Sequence, residues 1–320
     1  LRERANRAED PRWRALLLLD AARLAEGRGE GAQADALLQE ALALPGEGRY
    51  PVAVEREQLA YSRVRRARGE KERAEALKSW GVALRDRAAL LFAALEGDDT
   101  AGVPVYARRW QTLGDLWLAG AQALAAGGLA ADGEALLEEG AAAVAAAAPE
   151  EAELAAELLR GRWRLLSAAG DTEGAALLAR RLVPLEGEGS DRALLALTLA
   201  DEALARGDAA AAVSRLRVAA AADGGCLPAQ VKLVALLAES DAPELGDELE
   251  ELARGFATPE ARARCLLAAA YVHARRRSPR AVEALEAAGR NGVGDIVLAR
   301  FGRLLGSVLG DGALYEASTE

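Results

Sequence analysis

Residues 190–223 read SDRALLALTLADEALARGDAAAAVSRLRVAAAAD, and this stretch decides the fold. It predicts two amphipathic helices of similar length with a turn at residues 206–208, because apolar residues recur three to four positions apart on either side. Gly207 can adopt the left-handed backbone that ends a helix, and Asp208 can cap the next one. The positions expected on the buried faces are Leu194, Leu197, Leu204, Val213, Leu216, Ala219 and Ala220.

The same helix–turn–helix pattern recurs along the chain. Its turns fall at Gly29-Glu30, Gly69-Glu70, Gly127-Gly128, Gly170-Asp171, Gly207-Asp208, Ser240-Asp241, Arg277-Ser278 and Gly310-Asp311. Successive turns are 33 to 58 residues apart, and the last four spacings are all 33 or 37. Periods of roughly 20 to 50 residues are typical of repeat proteins.

We therefore predict seven antiparallel helix pairs in a single domain spanning residues 1–320, with candidate bends at 45–51, 96–104 and 184–190. Thr258-Pro259 and Ser278-Pro279 each place a hydroxyl before a first-turn proline, which is a helix-start signature. The predicted pairs are 11–27 with 31–44, 52–68 with 70–96, 104–126 with 129–148, 150–169 with 172–184, 191–206 with 208–222, 227–239 with 243–253 and 259–276 with 279–289, followed by a lone helix at 294–309.

Composition supports helix throughout. Hydrophobic residues make up 51% of the chain but aromatic residues only 4%, so the interior is built from Leu, Val and Ala, which favour closely packed helices over a sheet. Lysine occurs only at Lys71, Lys78 and Lys232, and methionine is absent, a bias that suggests a GC-rich bacterial genome. Since the chain begins at Leu1, we expect it to be a piece of a longer protein.

Residues 110–117 read WQTLGDLW and resemble the Trp-x2-Leu-Gly-x2-Tyr pattern in the first helix of the tetratricopeptide repeat (TPR), with Trp117 in place of the tyrosine. The resemblance implies an all-α, right-handed α-solenoid of about seven antiparallel helix pairs plus a terminal helix, a TPR-like superhelix. It also implies that the first helices of successive pairs line a concave groove. The Lys and Asn positions of the chaperone-binding subtype are not matched, since the aligned positions hold Leu, Arg, Asp or Gln.

Arginines on the predicted first helices are candidate partner contacts. Arg56, Arg63 and Arg66 lie seven and three residues apart on one helix face. The resemblance turns them toward the groove, together with Arg160, Arg164 and Tyr271. Arginine side chains suit carboxylates and phosphates, so an acidic peptide is the expected ligand. The alternative is that these arginines pair with Glu57, Glu70, Glu153 or Glu157 on neighbouring helices.

The residues that usually carry catalysis or bind metals are scarce. His273 is the only histidine, and Cys226 and Cys265 lack metal-binding spacing, so neither a zinc site nor a His-based triad is predicted. Asp98-Asp99 lacks the third aspartate of a magnesium-binding motif. We expect no enzyme activity, no metal and no cofactor.

A net charge of −10 argues against generic nucleic-acid binding. No apolar run is long enough to insert into a membrane, and two unpatterned cysteines favour the cytoplasm.

Two functional hypotheses follow. The first is a scaffold or adaptor in bacterial signalling, polarity, motility or envelope assembly, whose concave face binds a protein partner such as an acidic segment, a regulatory GTPase or an assembly subunit. The second is a ligand-sensing or regulatory helical domain of a multidomain signalling enzyme, with a pocket near Trp80, Trp110 and Trp117. The apolar last helix predicts that further repeats or a neighbouring chain cover it.

Overall fold

A computed structural model describes residues 1–97 and 101–317 of the chain. Every regular element within these ranges is helical, which confirms the predicted all-α class. The α-helices are α1 Arg2–Arg7, α2 Pro11–Gly27, α3 Gly31–Leu42, α4 Arg49–Arg66, α5 Glu70–Leu95, α6 Trp110–Ala126, α7 Ala130–Ala147, α8 Ala152–Ala169, α9 Thr172–Leu182, α10 Ser190–Ala205, α11 Ala209–Ala222, α12 Leu227–Glu239, α13 Leu245–Gly255, α14 Pro259–Arg275, α15 Arg280–Arg290, α16 Asp295–Leu309 and α17 Gly312–Ala317.

From α2 onward the helices form pairs. The even-numbered helices α2 to α16 open the pairs and are called the first helices, and the odd-numbered helices α3 to α17 are the second helices. Short turns join the two members, which pack directly on each other in α2–α3, α4–α5, α6–α7, α10–α11, α12–α13, α14–α15 and α16–α17. Two packed helices joined by a short turn run antiparallel, so the predicted helix-pair repeat is confirmed.

The turns use the predicted chemistry. Gly207 has φ +75°, and the Asp208 carboxylate accepts a hydrogen bond from the Ala211 N–H at 2.9 Å. Glycines occupy the left-handed region in most of the other turns as well, whereas Asp241 and Arg277 adopt φ of +48° and +55° in two of them. A side chain in that region is strained, so these two turns are less favourable than the glycine turns.

The buried face of α10 differs from the prediction. Leu194 is 43% exposed, while Ala193, Ala196 and Ala200 are buried beside Leu195 and Leu199. Alanine and leucine alternate so densely in this helix that the leucine spacing alone selects the wrong face. The second helix follows the prediction, since Leu216 and Ala219 are fully buried.

Other differences lie at the ends of the chain and in one loop. The sequence did not indicate α1 or α17, and α17 packs on α16, so the helix predicted to be alone is paired. Its Leu305 is fully buried, but Ile296 and Leu304 are 70% and 45% exposed. The helix predicted from residue 104 begins at Trp110, after a 3-10 turn at Val105–Ala107.

The chain divides into two compact units, residues 1–178 (the N-terminal unit) and 179–320 (the C-terminal unit). In the N-terminal unit, one core forms around Leu18 and Leu38 and another around Leu113 and Leu124. In the C-terminal unit the core gathers around Leu216, Leu233 and Leu305. A single domain over residues 1–320 stays a prediction.

Glycines bring the helices of the second N-terminal core close together. A Cβ atom on Gly81 of α5 would lie 2.7 Å from the Leu124 Cγ and 2.9 Å from the Leu124 backbone nitrogen on α6. On Gly133 of α7 it would lie 2.6 Å from the Ala121 carbonyl oxygen. Because these neighbours are largely backbone atoms, a larger residue would push the helices apart.

Two of the predicted bends contact each other. The Tyr50 N–H donates to the Ala101 carbonyl at 3.0 Å. Gly102, with φ +73°, lies so close to the Glu47 carbonyl that a Cβ would come within 2.2 Å of its oxygen. The segments 45–51 and 101–104 are therefore packed on each other at the start of α4.

Candidate partner-binding surface

Arg63 joins three elements of the N-terminal unit. From α4, its guanidinium donates to the Glu26 carboxylate at 2.6 Å, to the Asp35 carboxylate at 2.8 Å and to the Gly31 carbonyl at 3.2 Å. The Arg63 and Glu26 side chains are only 21% and 11% exposed. The hydrogen bonds that Arg63 donates to Glu26, with those it donates to Asp35, outweigh desolvation and raise the Arg63 pKa above its ordinary value. Arg63 therefore holds α4 against the α2–α3 turn.

Arg56 and Arg160 are also engaged within the chain. Arg56 donates to Asp86 on α5, and only 14% of its side chain is exposed. Arg160 donates to Glu153 on the same helix, α8, with 15% of its side chain exposed. Glu153 is one of the four glutamates in the alternative interpretation, but it lies on the same helix as Arg160 and not on a neighbouring one.

The other three predicted contacts are accessible. Arg66 is 70% exposed and lies 3.8 Å from Glu26, a distance at which an exposed pair is weak. Arg164 on α8 is exposed, and Tyr271 on α14 is 41% exposed.

Within the N-terminal unit, the two predicted arginines of α4 are held in different places. Arg63 reaches back to the α2–α3 turn, whereas Arg56 reaches forward to α5, although both belong to α4. Arg160 and Arg164 belong to α8 of the same unit, and Tyr271 belongs to the C-terminal unit.

The three tryptophans predicted to line a pocket pack in or against the second N-terminal core. Trp117 is 6% exposed, and its ring lies 6.0 Å from that of Phe92. Trp110 contacts Phe92 edge-on, and Trp80 packs on Tyr61 with ring centroids 5.0 Å apart. Among the described tryptophans, only Trp13, which is 63% exposed, has most of its surface accessible to solvent.

His273 lies in a charged cluster within the C-terminal unit. Its ring is 6% exposed, and Nε2 is 2.9 Å from the Glu250 carboxylate on α13. Gly246 lies flat against the ring, and Arg280 of α15 binds Glu250 from the other side. The cluster ties α13, α14 and α15 together.

Over the described ranges, no group of three His, Cys, Asp or Glu side chains is arranged to hold a metal ion. No helix there is long and apolar enough to cross a bilayer. Asp98 and Asp99 lie outside the described residues.

Exposed large apolar side chains follow a pattern that sequence reasoning missed. Within the described α-helices they lie on first helices, apart from Leu177 of α9, and four more lie outside the α-helices, namely Leu1, Val105, Tyr106 and Leu185. Those on first helices are Trp13, Leu24, Tyr61, Leu194, Val231, Tyr271, Ile296, Val297 and Leu304. The sequence signal was present at Leu194, whose spacing was correct but whose face was assigned to the core.

The C-terminal unit also contains two open clefts. One of about 560 Å³ lies between α15 and α16 and is lined by Leu285, Arg290 and Asp295. The other, about 450 Å³, is lined by residues of α13, α14 and α15, including Arg254 and Arg262. Both carry mixed charge, and neither involves the tryptophans.

No protein-family model matches the chain, and no curated protein matches it. Among solved structures, a human IFIT1 dimer with PPP-AAAA aligns at 12% identity and TM-score 0.32, over 93% of this chain and 79% of that one. The TPR domain of P58(IPK) aligns at 14% identity and TM-score 0.26, over 93% and 99%. A circular tandem repeat protein with novel repeat topology aligns at 16% identity and TM-score 0.24, over 99% and 84%.

Proposed function

We propose that this chain is a protein-interaction scaffold that binds a protein partner through the exposed face of its first helices. The distribution of exposed apolar side chains carries the proposal. Single exposed apolar residues are ordinary, but their concentration on the first helices is typical of a contact surface. In the C-terminal unit, each of the four first helices α10, α12, α14 and α16 contributes at least one such side chain.

The chemistry of these side chains suits a protein ligand. Trp13, Tyr61 and Tyr271 are of the types that dominate interface energetics, because a large rigid ring buries much area at little cost in side-chain entropy. Helix pairs offer such rings on a firm support, since the opposite helix face is packed in a core.

Of the predicted contacts, Arg66, Arg164 and Tyr271 remain in the proposal because their side chains are exposed. We assign Arg56, Arg63 and Arg160 an indirect part, in which their ion pairs fix the helices that present the surface. A concave groove over one domain, a bacterial signalling or assembly role and a cytoplasmic location also belong to this proposal, and rest on composition and family resemblance.

Site-specific photocrosslinking tests the proposal. Benzoylphenylalanine would replace Tyr61 or Tyr271 on first helices, with matched controls at exposed Glu139 of α7 and Arg215 of α11 on second helices. In extract of the source organism, we expect a discrete crosslinked protein from the first-helix positions only, identified by mass spectrometry. Equal crosslinking from all four positions, or none from any, would refute a first-helix binding face.

A further inference from the structure

Two adjacent first helices of the C-terminal unit present matching exposed stripes. On α14 the exposed residues Arg264, Ala268, Tyr271 and Arg275 recur at the spacing of one helix face, opposite the buried His273. On α16 the corresponding stripe is Ile296, Arg300, Leu304 and Ser307, opposite the buried Leu305. Because α14 and α16 pack on each other, both stripes belong to one surface.

This surface is cationic although the chain as a whole carries −10. Residues 261–282 and 296–310 contain no Asp or Glu, so beyond the first-turn Glu260 and Asp295 neither helix carries an acidic side chain. Within the part of the chain that the structure describes, Arg264 and Arg300 have no carboxylate within 4.0 Å.

Several other cations of the same unit do have carboxylate partners. Lys232 of α12 binds Asp201 of α10 at 2.5 Å, and Arg280 of α15 binds Glu250 at 2.5 Å. An arginine without a partner beside an exposed tyrosine and leucine has its charge available for a ligand.

Resting on the proposed function, we propose that α14 and α16 bind an acidic amphipathic segment of the partner, with Arg264 and Arg300 pairing with its carboxylates. Tyr271 and Leu304 would cover an apolar side chain between those carboxylates. An arginine guanidinium can form two parallel hydrogen bonds with one carboxylate. The apolar contacts between the two arginines exclude water from these ion pairs. A protein segment fits better than nucleic acid, because a strong net negative charge repels a polyanion at long range while a short peptide carries only a few charges.

Peptide selection on the full chain tests this surface. A random dodecapeptide phage library would be panned on the wild-type protein and on the double variant Arg264→Gln/Arg300→Gln. The matched control is Arg215→Gln/Arg290→Gln, which removes two exposed arginines from second helices of the same unit. A Tyr271→Ala variant tests the apolar contact, and helical circular dichroism checks that each variant is folded.

We expect the wild type and the control to enrich peptides in which Asp or Glu flank an apolar residue. Synthetic versions of these peptides should bind the double variant about tenfold or more weakly, as expected for the loss of two charge-assisted contacts. Tyr271→Ala should weaken the same peptides.

Three outcomes would overturn the inference: no enrichment, enriched peptides without acidic residues, or binding that the double variant retains. Tighter binding of a random RNA dodecamer than of the selected peptides would also overturn it, in favour of a nucleic-acid site. The proposed function is judged separately, because crosslinks from Tyr61 and Tyr271 would still support a first-helix surface if Arg264 and Arg300 proved irrelevant.

Discussion

Arg63 shows how a single residue changes role once its neighbours are known. Its spacing from Arg56 and Arg66 predicted a ligand contact, but the carboxylates that hold it belong to Glu26 and Asp35, 37 and 28 residues earlier. A half-buried arginine satisfied by two carboxylates and a carbonyl has little left to offer a partner. Reversing the charge of all three arginines would therefore disturb the fold along with any binding.

We expect Arg63→Ala to lower the free energy of unfolding by about 1–3 kcal/mol, since it strands two carboxylates, one of them largely buried. Arg66→Ala, one turn away and exposed, should change it by less than about 0.5 kcal/mol. Urea unfolding followed by circular dichroism measures both. Equal effects of the two substitutions would mean that the Glu26 and Asp35 pairs contribute no net stability.

Arg277 has a backbone conformation that is unfavourable for any residue with a side chain. Its φ of +55° lies where glycine is favoured and where an L side chain loses about 1–2 kcal/mol. We expect Arg277→Gly to stabilise the protein by about 0.5–1 kcal/mol after the entropy of the unfolded glycine is included. Arg275→Gly, at the end of α14, should destabilise by up to about 1 kcal/mol, as glycine does in a helix. A lower Tm for Arg277→Gly than for the wild type would show that the backbone of Arg277 is not strained.

At the scale of helices, the pair α5–α6 depends on the absence of a side chain. Gly81→Ala would raise intrinsic helix propensity by about 1 kcal/mol, yet its Cβ would meet the backbone of Leu124 and Gly120. Because backbone atoms move only with their helix, we expect net destabilisation of about 1–3 kcal/mol.

Gly27, the last residue of α2, is the matched control, since apart from its chain neighbours and the nearby backbone of its own helix no heavy atom lies within 4 Å of the position of its Cβ. Gly27→Ala should be neutral or slightly stabilising. Thermal unfolding of the two variants compares them, and a Gly81→Ala variant as stable as wild type would show that α5 and α6 can separate freely.

The elements themselves could be predicted from sequence because their signals are local. A glycine such as Gly207 or a proline such as Pro259 fixes a helix end within a few residues. The face that each helix buries was harder to predict: in α10 both the alanines and the leucines recur at helical spacing, and the core takes the alanines with Leu195 and Leu199.

The ion pairs and exposed patches could not be predicted from sequence, for a different reason. They are set by packing between helices, which brings Arg56 to Asp86 across 30 residues. The cationic stripe of α14 and α16 did have a sequence signal, the acid-free runs 261–282 and 296–310, but a net charge taken over the whole chain conceals it.

At the scale of the whole molecule, charge decides behaviour in solution. The 50 acidic and 40 basic side chains give an excess of negative charge at pH 7, and the isoelectric point is about 5.0. As pH falls toward that value, carboxylates gain protons and mutual repulsion between molecules vanishes. We expect the lowest solubility near pH 5, measured as turbidity in polyethylene glycol between pH 4 and 8. Solubility that falls steadily with rising pH would contradict this.

The packing of each described helix mainly on its neighbours along the chain also bears on how the protein is made. Such a chain has low contact order, so forming its native contacts closes only short loops, and fast folding is expected. During synthesis, a helix pair leaving the ribosome already holds most of its own packing partners, and it can fold before the rest of the chain has been translated.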